Sequence, residues 1–459
     1  MKKIFIVFFV LPLIINALPT ELSAAYQVPF DVDANAVYFV NLDTDTVVYE
    51  KNAGEKIYPA SVTKIMTAVL ALENIKNIKT EIITVEPYML EEFLNIDYSY
   101  SNGGLRNFEE FTAEDLLYGI LLQSASDAAD VIAARVGGNS IPNFIDMMNK
   151  KAKELGMNGT HFVNPHGLHD PDHYTTARDL YLLAKYAMNV PGFMEIAQTT
   201  VHGFKTNKRP NGEFFIGTNY LQDQNNHPDL YYKPLRGIKT GTTEEAGSCL
   251  VSSASLNGYN YLLVLMGEPL RPSAAAPAQE GEEQEEITDY NPKKCFTETP
   301  KFYNWAFENF TIKELVPKNN LAGEVRLNLC AETDHLPLCT YESFTQLIPG
   351  NYEASSIRLV NHVPEYVNAP VKKGDLIGTA DIVLSGEVIG SLNLYAAESY
   401  ERSGLYYVRD ILLRAVESKF FKYGLICLAL VFLFSIMSSL RAGRTKKKRQ
   451  TKANKNRVR

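Results

Sequence analysis

The hydrophobic positions along the chain change their period several times, and each change predicts a different element. Two short segments rich in Val and Tyr, residues 36–42 and 47–51, flank the polar sequence Asp43–Thr46. This pattern predicts a β-hairpin. After Pro59 the apolar positions recur at helical spacing and predict a helix. Further helical patterns cover residues 113–135, 143–155 and 176–188.

The strand period returns in the second half of the chain. Residues 237–242, 249–256 and 260–266 have strand-like patterns, and the last two are joined by Asn257-Gly258, a strong hairpin signal. Strands from both ends of this region, with helices between them, predict one mixed sheet covered by helices. We therefore expect an α+β domain over residues 26–310.

Two later segments differ in composition. Residues 271–297 combine Ala and Pro with several Glu residues. Because such a composition cannot bury a core, we expect an exposed, disordered loop there. From residue 325 to 397, short strand patterns alternate with glycine turns, which predicts a small all-β domain. We expect this domain to be a β-sandwich over residues 311–400.

The first 25 residues have the layout of a secretory signal peptide. Two lysines precede an apolar stretch, and small residues follow near Ala25. The mature chain is therefore expected to begin near Tyr26. An uncleaved membrane anchor is the weaker alternative, because the apolar stretch contains Pro12 and is short for a bilayer crossing.

The C-terminal region has the layout of a membrane anchor. Residues 401–422 alternate charged and apolar positions at helical spacing and predict an amphipathic stalk helix. Residues 423–440 are apolar and uncharged. At about 1.5 Å per residue, this run nearly crosses a hydrocarbon core of roughly 30 Å, so we expect one transmembrane helix in contact with lipid. The tail, residues 441–459, has ten basic residues and no acidic one, and it is expected to stay in the cytoplasm while the preceding domains are exported.

The distribution of charge limits the classes of partner. The formal net charge of the chain is −8, and removing the ten basic charges of the tail leaves −18 for residues 1–440. This acidic outer part argues against a nucleic acid as partner. The basic tail alone resembles a nucleic-acid patch, but a signal sequence and a membrane span come before it.

The spacing of cysteine and histidine does not predict a metal site. The five cysteines, at positions 249, 295, 330, 339 and 427, include no C-x-x-C and no paired histidine spacing. Cys330 and Cys339 either pair in an oxidising compartment or remain two small apolar residues, and the sequence leaves both options open. His166, His169 and His173 lie close together in the sequence without a carboxylate spacing, so we expect them to pack within a loop. No metal and no cofactor are expected.

Ser61 and Lys64 lie three positions apart at the start of the first predicted helix. That spacing places both side chains on one face. Serine is a poor nucleophile unless a base takes its proton, and Lys64 is close enough to be that base. Lysine must first be neutral, and lowering its pKa from about 10.4 toward about 8 requires roughly 3 kcal/mol, which burial and a second cation can supply. The helix N-terminus would favour negative charge developing at Ser61.

Two further motifs can complete a site around Ser61. Lys239-Thr240-Gly241 lies in a predicted strand, where Lys239 can supply the second cation and help Thr240 hold a terminal carboxylate. Gly241 lets a substrate backbone approach the strand closely. Ser124-Ala125-Ser126 comes after a helical run, and a hydroxyl there can relay a proton to a leaving amine.

Together, the three motifs resemble the set found in class A β-lactamases and penicillin-binding proteins. Further segments resemble the low-molecular-mass penicillin-binding proteins, the serine D-alanyl-D-alanine carboxypeptidase family of the peptidase S11 type. These segments are Asn164-Pro165-His166-Gly167-Leu168, residues 173–180, residues 237–241 and Ala246-Gly247. The likeness covers residues 34 to about 400, including the β-rich second domain.

The resemblance implies a fold and an activity. The fold is the β-lactamase and transpeptidase-like mixed sheet covered by helices, followed by the small all-β domain. The activity is removal of the terminal D-alanine from peptidoglycan stem peptides through an acyl-enzyme, with β-lactams as covalent inhibitors and with no cofactor. This activity belongs to cell-wall biogenesis and remodelling outside the cytoplasm.

The resemblance also implies roles for individual residues. Ser61 would be the nucleophile, Lys64 the proton acceptor and Ser124 the second active-site serine. The backbone N–H groups of Ser61 and Thr242 would form the oxyanion hole. The expected substrate-binding residues are Lys239, Thr240, Gly241 and Ser126.

Ser126 departs from the family pattern, because it stands where the Ser-x-Asn motif has Asn. Asp127-Ala128 nevertheless keep the expected register, and the literal Ser-x-Asn strings at residues 255–257 and 391–393 lie in a hairpin turn and in the β domain. The departure leaves a catalytically weak scaffold protein as an alternative function. A serine β-lactamase is a further alternative, which needs a residue that positions a hydrolytic water; the Glu-x-x-Leu-Asn motif supplies it in class A enzymes, and we do not expect this chain to have that motif.

Overall fold

The structure of the protein is a computed structural model, which describes residues 26–95, 100–270, 294–351, 357–384 and 386–455. Within these ranges the chain forms two compact units, with the main boundary between Lys313 and Glu314. The expected signal peptide, residues 1–25, lies outside the described residues.

The expected disordered loop also lies mostly outside the described residues, from 271 to 293. Its last four residues, 294–297, are described, and they form the first turn of a helix. The loop prediction is wrong for these four positions, because Cys295 and Phe296 are buried apolar residues that anchor the turn in a core.

The first unit contains a five-stranded sheet with helices. Its strands are β1 Ala36–Asn41, β2 Thr46–Lys51, β3 Ile82–Thr84, β4 Glu110–Thr112, β5 Val201–Thr206, β6 Arg209–Ile216, β7 Leu235–Thr243, β8 Gly247–Leu256 and β9 Tyr259–Glu268. Its α-helices are α1 Lys64–Asn74, α2 Ala113–Leu121, α3 Ser126–Val136, α4 Ile141–Glu154, α5 Ala177–Ala187, α6 Phe193–Ala197 and α7 Lys294–Asn309. Short 3-10 helices cover Ala60–Thr63, Pro87–Asn95 and Tyr220–Gln222.

The strand order in the main sheet is β2-β1-β9-β8-β7, and all neighbours are antiparallel. β1 shows how the sequence specifies this sheet. Ala36, Tyr38 and Val40 pack into one buried cluster, and Val37 and Phe39 pack into another. Because successive side chains of a strand point to opposite faces, a strand covered on both faces is apolar at nearly every position.

Most of the predicted elements in this unit are confirmed. The hairpin β1–β2, the helices α1, α4 and α5, and the strands β7, β8 and β9 lie where the hydrophobic pattern predicts them. β8 and β9 are joined at Asn257 and Gly258, which both have positive φ, as the Asn-Gly pair favours.

The helical pattern over residues 113–135 is wrong in its middle, because α2 ends at Leu121 and α3 begins at Ser126. Between them, Ser124 has a φ of 62°, in the left-handed region that a right-handed helix excludes. The Thr218 N–H donates to the Leu122 carbonyl over 3.0 Å, so a distant segment stabilises the break. Hydrophobic periodicity cannot reveal a break of this kind, since the apolar residues on both sides remain in register.

The second unit is rich in strands, although residues 345–352, which include most of β13, belong to the first unit. The remaining strands of the chain are β10 Phe310–Val316, β11 Leu321–Asn328, β12 His335–Cys339, β13 Phe344–Pro349, β14 Ile357–His362, β15 Tyr366–Asn368, β16 Leu376–Leu384 and β17 Glu387–Ala396. Six of them form one hydrogen-bonded sheet in the order β14-β16-β17-β12-β11-β15, which confirms the predicted all-β domain. Its arrangement as a sandwich stays a prediction. Cys330 and Cys339 are both buried and unpaired, so the second of the two options holds.

The described chain ends in two consecutive helices. α8, Gly404–Glu417, occupies most of the predicted stalk, and apolar side chains such as Leu405 and Leu412 are exposed on it. α9, Lys419–Lys455, contains the predicted membrane span. Within residues 419–441, an 18-residue window has a mean hydropathy of 2.2 and is not buried, so this helix is long and apolar enough to cross a membrane.

Candidate active site

Ser61 lies in the 3-10 turn that leads directly into α1, and Lys64 is the first residue of that helix. Lys64 is fully buried, and its Nζ lies 3.0 Å from Ser61 Oγ. Nζ also lies 3.2 Å from Ser126 Oγ and 2.6 Å from the His166 carbonyl oxygen. The fold therefore gathers two serines and a main-chain carbonyl around one lysine amine.

The turn that presents Ser61 is held by a second segment. Ala60 has a φ of 47°, a left-handed conformation that is costly for a residue with a Cβ. Thr63 Oγ1 donates to the Ala60 carbonyl over 2.8 Å and lies 2.8 Å from His173 Nε2. A Cβ at Gly167 would clash with the same Ala60 carbonyl. The loop that contains Gly167 and His173 thus supports the conformation in front of Ser61.

Ser124 and Ser126 come from the break between α2 and α3. Ser126 is 1% exposed, and its N–H donates to the Ser101 carbonyl over 3.0 Å. The hydroxyl of Ser124 is buried and has no hydrogen-bond partner among the described residues. Because it is not engaged in a structural hydrogen bond, this hydroxyl is available to carry a proton.

Strand β7 contributes the Lys239-Thr240-Gly241 motif. A Cβ at Gly241 would lie 3.0 Å from the Ser61 nitrogen and 3.1 Å from the Val62 nitrogen, so a side chain would force the strand away from Ser61. Lys239 is 1% exposed, and its Nζ donates to the Thr240 carbonyl over 3.0 Å. Thr240 Oγ1 lies 2.6 Å from Thr218 Oγ1. Thr218 belongs to no motif, so sequence analysis missed it.

A cavity of about 150 Å³ lies against these elements. Five predicted site residues line it: Ser61, Ser124, Thr240, Gly241 and Thr242. Lys64, Ser126 and Lys239 are buried and are not part of its lining. The residues that line it without having been predicted are Ser101, Thr218, Tyr220, Ser248, Cys249, Cys295 and Phe296.

Burial lowers the basicity of both lysines, and repulsion by Lys239 adds to the effect at Lys64. Burial, and then the positive charge of Lys239, lower the pKa of Lys64 well below its usual value. The carboxylates of Asp127 and Asp130 oppose this effect. Burial also lowers the pKa of Lys239, to about 7. Lys64 is therefore the stronger candidate for an uncharged amine.

The three contacts of Lys64 suit both forms of its side chain: a protonated amine donates three N–H groups to them, and an uncharged amine donates two and keeps a lone pair. The His166 carbonyl can only accept, so it takes one N–H in either form. In the uncharged form Ser126 Oγ takes the second N–H, and the lone pair can accept from the Ser61 hydroxyl. This arrangement is the one that a general base needs before it removes a proton from serine.

Asp127 holds the loop at residues 101–105, which contributes Ser101 to the cavity. Asp127 Oδ1 accepts from the Gly103 N–H over 2.7 Å, and Oδ2 accepts from the Leu105 N–H over 3.0 Å. In the sequence, Asp127 only marked the register after Ser126. The structure makes it a positioning residue for this loop.

Arg209 donates hydrogen bonds to carbonyl groups of the loop at residues 101–105. It donates to the carbonyls of Gly103, over 3.5 Å, and of Gly104. Its Nε lies 3.1 Å from Oε1 of Glu109, which is buried. No motif contains Arg209 or Glu109, so only the three-dimensional structure connects them with the site.

Comparison with known proteins identifies the family. Residues 22–269, more than half of the chain, match the peptidase S11 family model, described as D-alanyl-D-alanine carboxypeptidase. Residues 310–402 match the model of the C-terminal domain of penicillin-binding protein 5. The two matches fall on the two regions that the sequence separated into an α+β part and an all-β part.

Individual relatives are similar over most of their length. D-alanyl-D-alanine carboxypeptidase DacF of Bacillus subtilis is 27% identical over 376 residues, 81% of this chain and 87% of DacF. D-alanyl-D-alanine carboxypeptidase DacC of Escherichia coli is 28% identical over 394 residues, 84% of this chain and 90% of DacC. The structure of penicillin-binding protein 5 from Haemophilus influenzae is 25% identical with a TM-score of 0.60, and the match covers 82% of this chain and 100% of that one.

The family assignment agrees with the geometry, since the structure brings Ser61, Lys64, Ser124 and the Lys239 motif into one site. The fold and the family predicted from the sequence are confirmed by these matches. The chain belongs to the D-alanyl-D-alanine carboxypeptidase family of peptidase S11 and carries the C-terminal domain of the penicillin-binding protein 5 type.

Proposed function

We propose that this protein is a serine-type carboxypeptidase that removes the terminal D-alanine from peptidoglycan stem peptides through an acyl-enzyme on Ser61. The observation that supports it most is the state of Lys64, a fully buried lysine with a strongly lowered pKa and its Nζ 3.0 Å from Ser61 Oγ. The relatives named D-alanyl-D-alanine carboxypeptidases support the substrate class.

In the acylation step, Ser61 Oγ attacks the carbonyl carbon of the D-Ala-D-Ala bond while its proton passes to the lone pair of Lys64. The carbonyl oxygen becomes negatively charged, and the N–H groups of Ser61 and Thr242 are the proposed donors to it. When the tetrahedral intermediate collapses, the C–N bond breaks. The leaving amine of D-alanine takes a proton that travels from Lys64 through the Ser124 hydroxyl.

The remaining steps use the same groups. Lys239 and Thr240 hold the terminal carboxylate of the substrate before D-alanine leaves. A water molecule then attacks the ester carbonyl while Lys64 takes a proton from it. That proton returns to Ser61 Oγ as the ester bond breaks, which releases the shortened peptide and restores the starting state.

Covalent labelling tests the nucleophile. A labelled penicillin should acylate the wild-type chain and should not label Ser61→Ala, because the β-lactam carbonyl presents the same acyl centre as the peptide. Ser343→Ala, which changes an exposed serine of the second unit, is the matched control and should label normally. Labelling that persists in Ser61→Ala refutes the assignment of Ser61.

Turnover is tested by release of D-alanine from a diacylated Lys-D-Ala-D-Ala peptide. A catalytically weak penicillin-binding scaffold is the second candidate function, because Ser126 stands in place of the family Asn. A chain that binds penicillin and releases no D-alanine supports the scaffold.

A serine β-lactamase has less support. The string Glu91-Glu92-Phe93-Leu94-Asn95 matches Glu-x-x-Leu-Asn, so the expectation that the chain lacks this motif is wrong. Glu91 is nevertheless exposed on its 3-10 helix and does not line the cavity. A long-lived penicilloyl-enzyme separates a carboxypeptidase from a β-lactamase, which hydrolyses its acyl-enzyme quickly.

We also propose a membrane topology. The signal-like N-terminus, the apolar helix α9 and the basic residues after it support an exported catalytic unit and a cytoplasmic tail. Protease added to intact spheroplasts should remove the catalytic unit. Digestion of the basic tail alone would show the opposite orientation.

A further inference from the structure

Glu92, Asp130 and His166 form a polar cluster beside Lys64 that the proposed mechanism does not use. One oxygen of each carboxyl group and Nε2 of His166 lie within 4.8 Å of one another. Nε2 is 3.4 Å from Glu92 Oε1 and 3.7 Å from Asp130 Oδ1. Asp130 and His166 are fully buried, whereas the side chain of Glu92 is 49% exposed.

The cluster is incompletely paired. Neither carboxyl oxygen of Asp130 nor Nε2 of His166 has a hydrogen-bond partner among the described residues. A charged carboxylate in such a place is too costly to bury without a partner. The cluster itself offers two ways to neutralise Asp130: a cation bound between the three side chains, or a proton on its carboxyl group.

The hydrogen bond at Nδ1, the second ring nitrogen of His166, distinguishes a bound cation from a protonated Asp130. The Leu168 N–H donates to Nδ1 over 3.1 Å, so Nδ1 presents its lone pair, and the neutral ring carries its proton on Nε2. A metal bound to Nε2 would need that lone pair and would move the proton to Nδ1, against the Leu168 N–H. A histidine that binds a metal normally donates from its other nitrogen. The geometry therefore favours a proton over a cation.

The cluster acts on Lys64 in two ways. The His166 carbonyl accepts from Lys64 Nζ over 2.6 Å, so the position of His166 controls the direction of the amine. Second, a negative charge on Asp130 would favour the protonated form of Lys64. A neutral Asp130 leaves Lys64 free to be uncharged.

The electrostatics of the cluster agree with this. Burial, and then the nearby Glu92, raise the pKa of Asp130 well above its usual value. Burial lowers the pKa of His166, which keeps the ring neutral. The other titratable groups that act on the cluster are Lys64 on α1, Asp127 on α3 and His173 in the loop after His166.

We propose that Glu92, Asp130 and His166 form a positioning unit for the base: Asp130 holds a proton, neutral His166 directs its Nε2–H at the Glu92 and Asp130 oxygens, 3.4 Å and 3.7 Å away, and the His166 carbonyl keeps Lys64 directed at Ser61. The proposal deepens the proposed function and rests on it. Asp130 touches neither the substrate nor the reacting atoms, so it is a positioning residue. Glu92 carries the negative charge of the unit at the surface.

Infrared spectroscopy on the full chain in detergent measures the proton on Asp130 directly. Burial also raises the pKa of Glu268, to about 7, so the band of Asp130 is read from a difference spectrum. At neutral pH the wild type minus Asp130→Asn should show the absorption of a protonated carboxyl group. Asp146→Asn, which changes an exposed carboxylate on α4, is the control and should give no such band when subtracted from the wild type. A wild type minus Asp130→Asn spectrum without the band overturns the proposal, and this result does not depend on any activity.

Acylation by labelled penicillin measures the positioning. Asp130→Ala should slow acylation about 3-fold to 10-fold, because the neutral His166 ring loses the polar group that lies 3.7 Å from its Nε2. Asp130→Asn should restore the rate to within about 2-fold, since its amide keeps an oxygen in that place and adds no charge. If Asp130→Asn instead moves the acid limb of the acylation–pH profile to lower pH, Asp130 is ionised and the proposal fails. A wild type that is never acylated refutes the proposed function, and the infrared result still decides the state of Asp130.

Zinc tests the cation directly. Zn²⁺ alone is titrated into the wild type and into Asp130→Asn, and binding is followed by calorimetry. We expect no binding that depends on Asp130. A zinc ion that binds to the wild type and is lost in Asp130→Asn would establish a metal site and overturn the proposal.

Discussion

The two units of this chain bury different kinds of residue. Around the cavity of the first unit, Lys64, Lys239, Asp127 and Asp130 are all buried. The core of the six-stranded sheet in the second unit consists of small and aliphatic residues, among them Val325, Leu338 and Leu394. Within the described part of that unit, Thr340 is the one polar residue that is buried.

From this difference we infer that the buried charged residues of the first unit serve the activity, whereas the core of the second unit serves stability through packing. A buried charge destabilises a fold unless it is paired, so it persists where it serves a function. Aliphatic packing contributes stability in proportion to the apolar area that it buries. Substitutions of the buried charged residues around the cavity should therefore change the chemistry, and substitutions in the aliphatic core of the second unit should change stability.

The largest effect is expected for Lys64→Ala. Removal of the base should slow acylation by labelled penicillin by about 10²-fold to 10⁴-fold, the usual range for a lost general base. Lys150→Ala, which removes an exposed lysine on α4, should leave the rate unchanged. A loss of less than about 10-fold would mean that another group takes the proton from Ser61.

Leu338→Ala tests whether packing in the second unit contributes stability without affecting the activity. Leu338 is fully buried in β12, and its truncation should lower the free energy of unfolding of its unit by about 2 to 5 kcal/mol. Acylation at a temperature where the variant is folded should not change, because no predicted site residue lies in that unit. Leu321→Ala, at a 70% exposed position, is the control, and thermal and denaturant unfolding are the measurements. Equal unfolding midpoints for both variants would contradict the packing argument.

The pH dependence of kcat/KM tests the second buried lysine. Burial lowers the pKa of Lys239 to about 7, so its positive charge in the free enzyme is lost as pH rises through about 7. For a peptide with a free terminal carboxylate, kcat/KM should fall about tenfold per pH unit above that value. A C-terminally amidated peptide should show no such fall. Equal slopes for the two peptides would exclude Lys239 as the group that binds the carboxylate.

On the acid side of the same pH profile, kcat/KM should change in the opposite direction. Lys64 acts as a base only when it is uncharged, so kcat/KM should rise with pH as this lysine loses its proton. Its lowered pKa places that rise far below the range in which an exposed lysine titrates.

The smallest effect is expected for Ser126→Asn. The Ser126 hydroxyl lies 3.2 Å from Lys64 Nζ, so serine already makes the contact with the base that Asn would make. The contact that serine lacks is therefore one with the substrate. One recovered hydrogen bond, about 0.5 to 1.5 kcal/mol, should raise kcat/KM by about 2-fold to 10-fold. Release of D-alanine is the measurement. A lower activity would mean that the pocket is built around serine.

Local sequence signals predicted many elements of the first unit. Helical spacing located α1, and the Asn257-Gly258 pair located the β8–β9 hairpin, because both depend on neighbouring residues. The same reasoning failed at Ser124, where the helical pattern continues through the left-handed break. There the Leu122 carbonyl accepts from the distant Thr218, and no local pattern contains that contact.

In the candidate site, too, some features were determined by the sequence and others only by the tertiary structure. The sequence alone determined the family, the three motifs and the pairing of Ser61 with Lys64, since a spacing of three within a helical turn places two side chains together. Only the tertiary structure decided which carbonyl accepts from Lys64 and that Asp130 comes close to His166 without a hydrogen-bond partner. The basicity of a buried amine depends on desolvation and on charges brought near by distant segments. These quantities arise when the chain folds, and the order of residues does not express them locally.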